Sequence, residues 1–124
     1  MKFPYVELRG RFLPIVPVEV NDVEFYAFAD SGASFSIFHT DIAEILDIKI
    51  EDGEKIFVTV GDGSLIPVHI HELKVRFAGK EFAARIGLSK KLGIGFDIIG
   101  RKDFFENFKI CFDEKDKLVE AIEL

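Results

Sequence analysis

The run Phe28-Ala29-Asp30-Ser31-Gly32-Ala33-Ser34 carries a carboxylate from an apolar strand straight into a turn of small residues. An acid held on a rigid element beside open space is what general acid or base catalysis requires, because proton transfer needs hydrogen-bond reach to the reacting group. Taken alone, Asp30-Ser31-Gly32 also has a plainer reading, an Asx turn that ends a strand. A single carboxylate cannot activate a water and protonate a carbonyl in one step. Two carboxylates about 3 Å apart can, because like-charge repulsion makes the pair hold one proton between them.

Other polar residues offer less. His69 and His71 share one face of a strand, with Glu72 adjacent and His39 elsewhere. A catalytic zinc site takes three protein ligands in fixed geometry, so the simpler expectation is solvated strand histidines, no metal and no cofactor. Asp97 precedes Ile98-Ile99-Gly100 without a hydroxyl-glycine turn and reads as a structural hydrogen-bonding residue. Cys111, the only cysteine, lies between Ile110 and Phe112 and reads as a buried, inert thiol. The charged runs 51–55 and 113–117 read as solvated turns.

The elements that position Asp30 are short strands. Residues 12–20 and 23–29 form a hairpin around Asn21-Asp22, a pair suited to positive φ, with Pro14 and Pro17 pushing the first strand to an edge. A short helix fits 41–47, where Asp41 and Glu44 have capping-box spacing and Ile42, Ile45 and Leu46 share a face. Strands 56–60 and 65–70 flank Gly61-Asp62-Gly63-Ser64, and strands 73–77 and 82–86 turn at 78–80. A glycine-broken apolar segment, 92–96, leads to Asp97-Ile98-Ile99-Gly100 and a second helix across 102–108. Strands 109–112 and 117–124 close the chain around a polar turn. Many short strands with one or two short helices and no fixed-period repeat predict an all-β fold, closed or orthogonally packed, in a single domain over residues 1–124.

Composition narrows the partners. A net charge of -6 and the lack of any Lys/Arg cluster argue against nucleic acid and against an anionic membrane surface. No apolar run has the length of a signal peptide core or of a membrane span, which predicts a cytoplasmic protein.

Three motifs in order then resemble the retropepsins, the single-domain aspartic peptidases of retroviruses and their cellular relatives. Ala29-Asp30-Ser31-Gly32-Ala33 is similar to the active-site signature, Val60-Gly61-Asp62-Gly63-Ser64 falls where the glycine-rich flap lies, and Asp97-Ile98-Ile99-Gly100-Arg101 matches the loop beneath the signature turn. The resemblance implies a closed β-barrel-like fold with a flap hairpin and a homodimer in which each subunit gives one Asp30. It implies a turn and dimer lock of Ser31, Gly32 and Ala33, a substrate surface of Ser34, Ile37, Gly61, Asp62, Gly63, Ser64 and Ile98, and structural support from Ile99, Gly100 and Arg101. The substrate it implies is an extended peptide or unfolded protein. A dimeric peptide-binding module of the same fold without turnover is the alternative. Where the retroviral enzymes carry a second Asp that pairs with the arginine, this chain has Ser34, so Arg101 needs another partner. Strand 117–124 is the sequence's candidate for pairing between subunits.

Overall fold

The computed structural model describes residues 1–90, 92 and 95–124; of the glycine-broken segment, Gly93 and Ile94 lie outside the described residues. Two-residue turns set several of its hairpins. Strands β1 (Lys2–Pro4), β2 (Val6–Leu8) and β3 (Arg11–Leu13) are followed by β4 (Ile15–Val20) and β5 (Val23–Ala29). Asn21 and Asp22 between them have φ of 47° and 67°, the left-handed pair that matches the twist of a two-residue hairpin. The expected strand 12–20 is broken at Pro14, where the chain bends from β3 into β4.

Next come β6 (Ser36–His39), the helix α1 (Asp41–Leu46), β7 (Glu54–Thr59), β8 (Leu65–Phe77), β9 (Lys80–Ser89), β10 (Asp97–Ile99), β11 (Phe108–Asp113) and β12 (Leu118–Glu123). The main sheet has seven strands in the order β4-β5-β10-β6-β9-β8-β7. Its seam is closed by β4 pairing with β8, Glu19 opposite Arg76 and Val20 opposite Val75. Pro17 lies in the half of β4 that pairs only with β5, where its missing N–H costs no ladder bond. Closure makes an all-β, barrel-like body with the fold that the sequence pattern predicts.

β8 is one strand of 13 residues, not the two expected. Its inward side chains change face along its length: Ile66, Val68 and Ile70 are buried in the first half, Leu73, Val75 and Phe77 in the second. Because alternate residues of a strand point to opposite faces, this one strand serves two apolar clusters. Leu73, Val75 and Phe77 join the barrel core with Val16, Val18, Ala27, Phe38, Ile86 and Ile99. Ile66, Val68 and Ile70 form a smaller cluster with Ile37, against which Phe35, Ile56 and Val58 pack.

The helical expectations are corrected in detail. α1 ends at Leu46 on a left-handed Asp47, its N-cap is Thr40, and no side chain caps it, so the capping box does not form. Ile42 is buried but Ile45 is 58% exposed, which removes it from the expected face. The second helix is shorter than 102–108: a turn over Arg101–Phe105 is kinked at Lys102 and at Asp103, whose φ is 66°. Phe104 of that turn packs edge-on to Phe77 at 5.8 Å and Phe82 at 5.5 Å. Phe108 meets Phe77 at 5.1 Å, so aromatic contacts tie this turn and the terminal strands to the barrel.

The termini form a separate three-stranded sheet, β1-β12-β11. β12, the sequence's candidate for pairing between subunits, is its middle strand and has both edges occupied within the chain. Cys111 is half-buried, not buried, on β11.

Candidate active site

Asp30 leaves the end of β5 beside β10, which runs parallel to it with Ile99 opposite Ala29. The Asp30 N–H donates to the Ile99 carbonyl at 3.0 Å, extending that ladder by one bond into the turn. The turn closes through Ala33 N–H to the Asp30 carbonyl at 3.1 Å. The Gly32 N–H donates to Asp30 Oδ1 at 2.9 Å, which orients the carboxylate. Asp30 is half-buried, while Ser31, Gly32 and Ser34 are exposed. A carboxylate thus stands on a fixed base with open space before it.

The loop after β10 wraps the far side of the turn. Arg101 N–H donates to the Ala33 carbonyl and Lys102 N–H to the Ser34 carbonyl, each at 2.9 Å. Gly100 fits between them only as glycine: a Cβ there would stand 2.6 Å from the Ala33 carbonyl oxygen and 2.8 Å from that of Phe35. Its N–H donates to Ser36 Oγ at 2.9 Å, in a site closed to solvent. Ser36 is one of two buried polar residues among those described, and sequence reasoning missed it. The available signal was a lone hydroxyl at the head of the apolar strand Ser36-Ile37-Phe38, because a buried hydroxyl needs a partner.

Arg101 does find another partner. One of its guanidinium nitrogens donates to Ser34 Oγ at 3.3 Å, and among the described residues no carboxylate lies within ion-pair distance of it. Ile98 and Ile37 are cross-strand partners, 7% and 6% exposed. Phe28, on the strand that carries Asp30, stacks on Phe96 with centroids 6.1 Å apart.

Residues 61–64 form the tip of the β7–β8 hairpin and are all exposed. Their bonds are local: Val60 N–H to the Ser64 carbonyl, Gly63 N–H to the Val60 carbonyl, and Ser64 N–H to Asp62 Oδ1, each at 2.9 Å. Asp62 also accepts from the Ser64 hydroxyl at 2.5 Å, and this bond is the chief cause holding its carboxyl below the usual range.

Asp97 accepts from the His39 N–H at 2.9 Å and so anchors β10 to the end of β6. Burial, the largest influence, pushes its carboxyl upward against that bond and the charge of His39. His71 is not a solvated residue as expected: it is half-buried, and its Nε2 lies 3.0 Å from the Ile50 carbonyl oxygen. Among the described residues no three His, Cys, Asp or Glu side chains gather as metal ligands would.

A family model described as aspartyl protease matches residues 16–84, a span that contains the Asp30 turn and the β7–β8 hairpin. No curated protein sequence matches. The solved structure of a retropepsin-like aspartic protease from Rickettsia conorii superposes with a TM-score of 0.73 at 20% identity, covering 97% of this chain and 98% of that one. EIAV protease, solved with the inhibitor HBY-793, superposes with a TM-score of 0.58 at 22% identity, covering 77% of this chain and 88% of that one. The chain belongs to the aspartyl protease family, and its fold is that of the retropepsin-like proteases.

Proposed function

We propose that the protein is an aspartic endopeptidase that works as a homodimer, with Asp30 of each copy facing the other across a two-fold axis. The observation that carries the reading is the Asp30 turn: its carboxylate is oriented by the Gly32 N–H and its backbone is fixed by Ile99. One such turn per chain supplies half of a general acid–base pair, and a second copy supplies the other half.

In the assembled site the two carboxylates share one proton. The ionised member takes a proton from a water held between them, and that water attacks the scissile carbonyl carbon. The protonated member gives its proton to the carbonyl oxygen. The tetrahedral intermediate collapses as the carboxyl that took the water's proton gives it to the amide nitrogen, the C–N bond breaks, and the other carboxylate takes back a proton from a hydroxyl of the intermediate, without a covalent enzyme intermediate. Ser31 bonds across the interface and locks the two turns together. The substrate is an extended peptide or unfolded protein that binds as an added strand between the signature turn and the β7–β8 hairpin, which acts as the flap. Ser34, Ile37 and Ile98 border its side chains with Gly61, Asp62, Gly63 and Ser64 above.

The test is Asp30→Asn, assayed on an unfolded protein alongside sedimentation. Loss of cleavage with the dimer intact supports the reading. Cleavage unchanged by the substitution sinks it, and a wild type as inert as the mutant favours a peptide-binding module.

A further inference from the structure

Three large apolar side chains that the core leaves outside converge on one hollow. Leu8 from β2, Tyr26 from β5 and Ile45 from α1 are 40%, 58% and 58% exposed, and all three line a cavity of about 560 Å³. Ile45, which the sequence pattern puts on the buried face of α1, is placed here instead. Concave apolar sites of about 300–1,000 Å³ hold small molecules when a few polar groups converge on them.

The polar groups here are His39 at the end of β6, Asp41 in the first turn of α1 and Asp97 at the start of β10. Among the described residues no lysine or arginine lines the cavity, and neither acid forms an ion pair. Asp97 uses only Oδ1, on the His39 N–H. Its Oδ2 has no hydrogen-bond partner among the described residues, and no buried side-chain oxygen among them lacks one, so Oδ2 is open to the cavity that Asp97 lines. Burial, the largest influence, raises the Asp97 carboxyl, and the charge of Asp41 pushes the same way. Two acids thus repel each other in partly dry surroundings, and a cation between them relieves both effects. The rings of Phe25, Tyr26 and Phe96 complete the wall, and aromatic rings attract a cation held over their faces.

We infer that this cavity is a second binding site, one that takes a small apolar cation, with an aryl or alkyl body in the hollow and its ammonium between Asp97 and Asp41. The site is distinct from the proposed catalytic cleft. Tyr26, Phe28 and Asp30 alternate onto one side of the strand, and Asp30 follows Tyr26 by four residues, about 13 Å of extended chain. Phe28 does not line the cavity, whereas Phe96 does and stacks on Phe28, so the stacked pair is the partition between the two. No residue of the Asp30 turn lines the cavity, and binding there needs neither turnover nor a second copy, so the inference stands apart from the proposed peptidase.

The test is a titration of the full-length chain with 2-phenylethylamine, followed by amide NMR, against two analogues: 2-phenylethanol, which is neutral, and phenylacetate, an anion. The amine should shift the His39, Ile45 and Asp97 amides with a dissociation constant on the order of 1 mM, the strength so few atoms can supply. The alcohol and the anion should bind at least about tenfold more weakly. Asp97→Asn keeps an acceptor for the His39 N–H and should weaken the amine about tenfold. Ile45→Lys, at an exposed position, plants an ammonium in the hollow and should do the same. Asp30→Asn should leave amine binding unchanged. Equal affinity for amine and alcohol overturns the inference, as does an affinity that ignores both Asp97→Asn and Ile45→Lys, or the absence of any amide shift. Loss of binding in Asp30→Asn puts the amine in the catalytic cleft and overturns it too. A chain that takes the amine as described and cuts no peptide supports the inference while the peptidase reading falls.

Discussion

The Asp30 turn and the tip of the β7–β8 hairpin both depend on glycine, yet they are held in opposite ways. The turn is bonded to residues far away in sequence: Ile99 grips Asp30, and Arg101 and Lys102 grip Ala33 and Ser34. The tip bonds only to itself, through Val60, Asp62, Gly63 and Ser64. On the proposed reading, the turn, which must be kept to a fraction of an ångström, is determined by the fold, whereas the tip, which would close over a ligand, is left free of it. Substitutions should therefore be costly at the turn and mild at the tip.

The largest effect is expected at Gly100→Ala. Its Cβ would collide with two backbone oxygens that cannot swing aside, so calorimetry should show a loss of several kcal/mol, on the order of 3. A midpoint within a degree of wild type would break the comparison. Ser36→Ala comes next, because it leaves the buried Gly100 N–H without its acceptor, at a cost of about 1–3 kcal/mol in urea unfolding.

Asp97→Asn sharpens the comparison through pH. Burial raises the Asp97 carboxyl above its ordinary 3.8, so the folded chain holds this proton more tightly than the unfolded chain. The stability that protonation contributes is complete below that value and is lost as pH rises through the folded-state titration. Asn keeps an oxygen for the His39 N–H and carries no charge. The mutant's melting temperature should gain on wild type as pH climbs from 3 toward 7, and parallel curves would contradict it. The smallest effect is at the tip: Asp62→Asn removes the acceptor charge that Ser64 favours, and thermal stability should stay unchanged while KM for a peptide shifts by less than about threefold. A large loss of stability there would mean that the tip is built into the fold after all.

Much of this was legible in the residues. The Asp30 signature, the Ile98-Ile99-Gly100 loop and the Asn21-Asp22 turn announce themselves because small or turn-forming residues interrupt apolar runs at fixed places. The continuity of β8 was hidden for a physical reason: its buried positions shift phase between Ile70 and Leu73 as it passes from one cluster to the other, which reads as two strands. Ser36 was hidden because a hydroxyl's partner lies in another segment. The middle place of β12 was hidden because β1, its second neighbour, comes from the opposite end of the chain.

That long strand has a mechanical meaning. Near one end β8 is riveted into the barrel seam, with Val75 against Val20, and at the other it carries the hairpin tip beyond the core. It is a cantilever. Whatever presses on its free end bears on the seam, so a peptide bound beneath the proposed flap should slow amide exchange at Val20 and Val75.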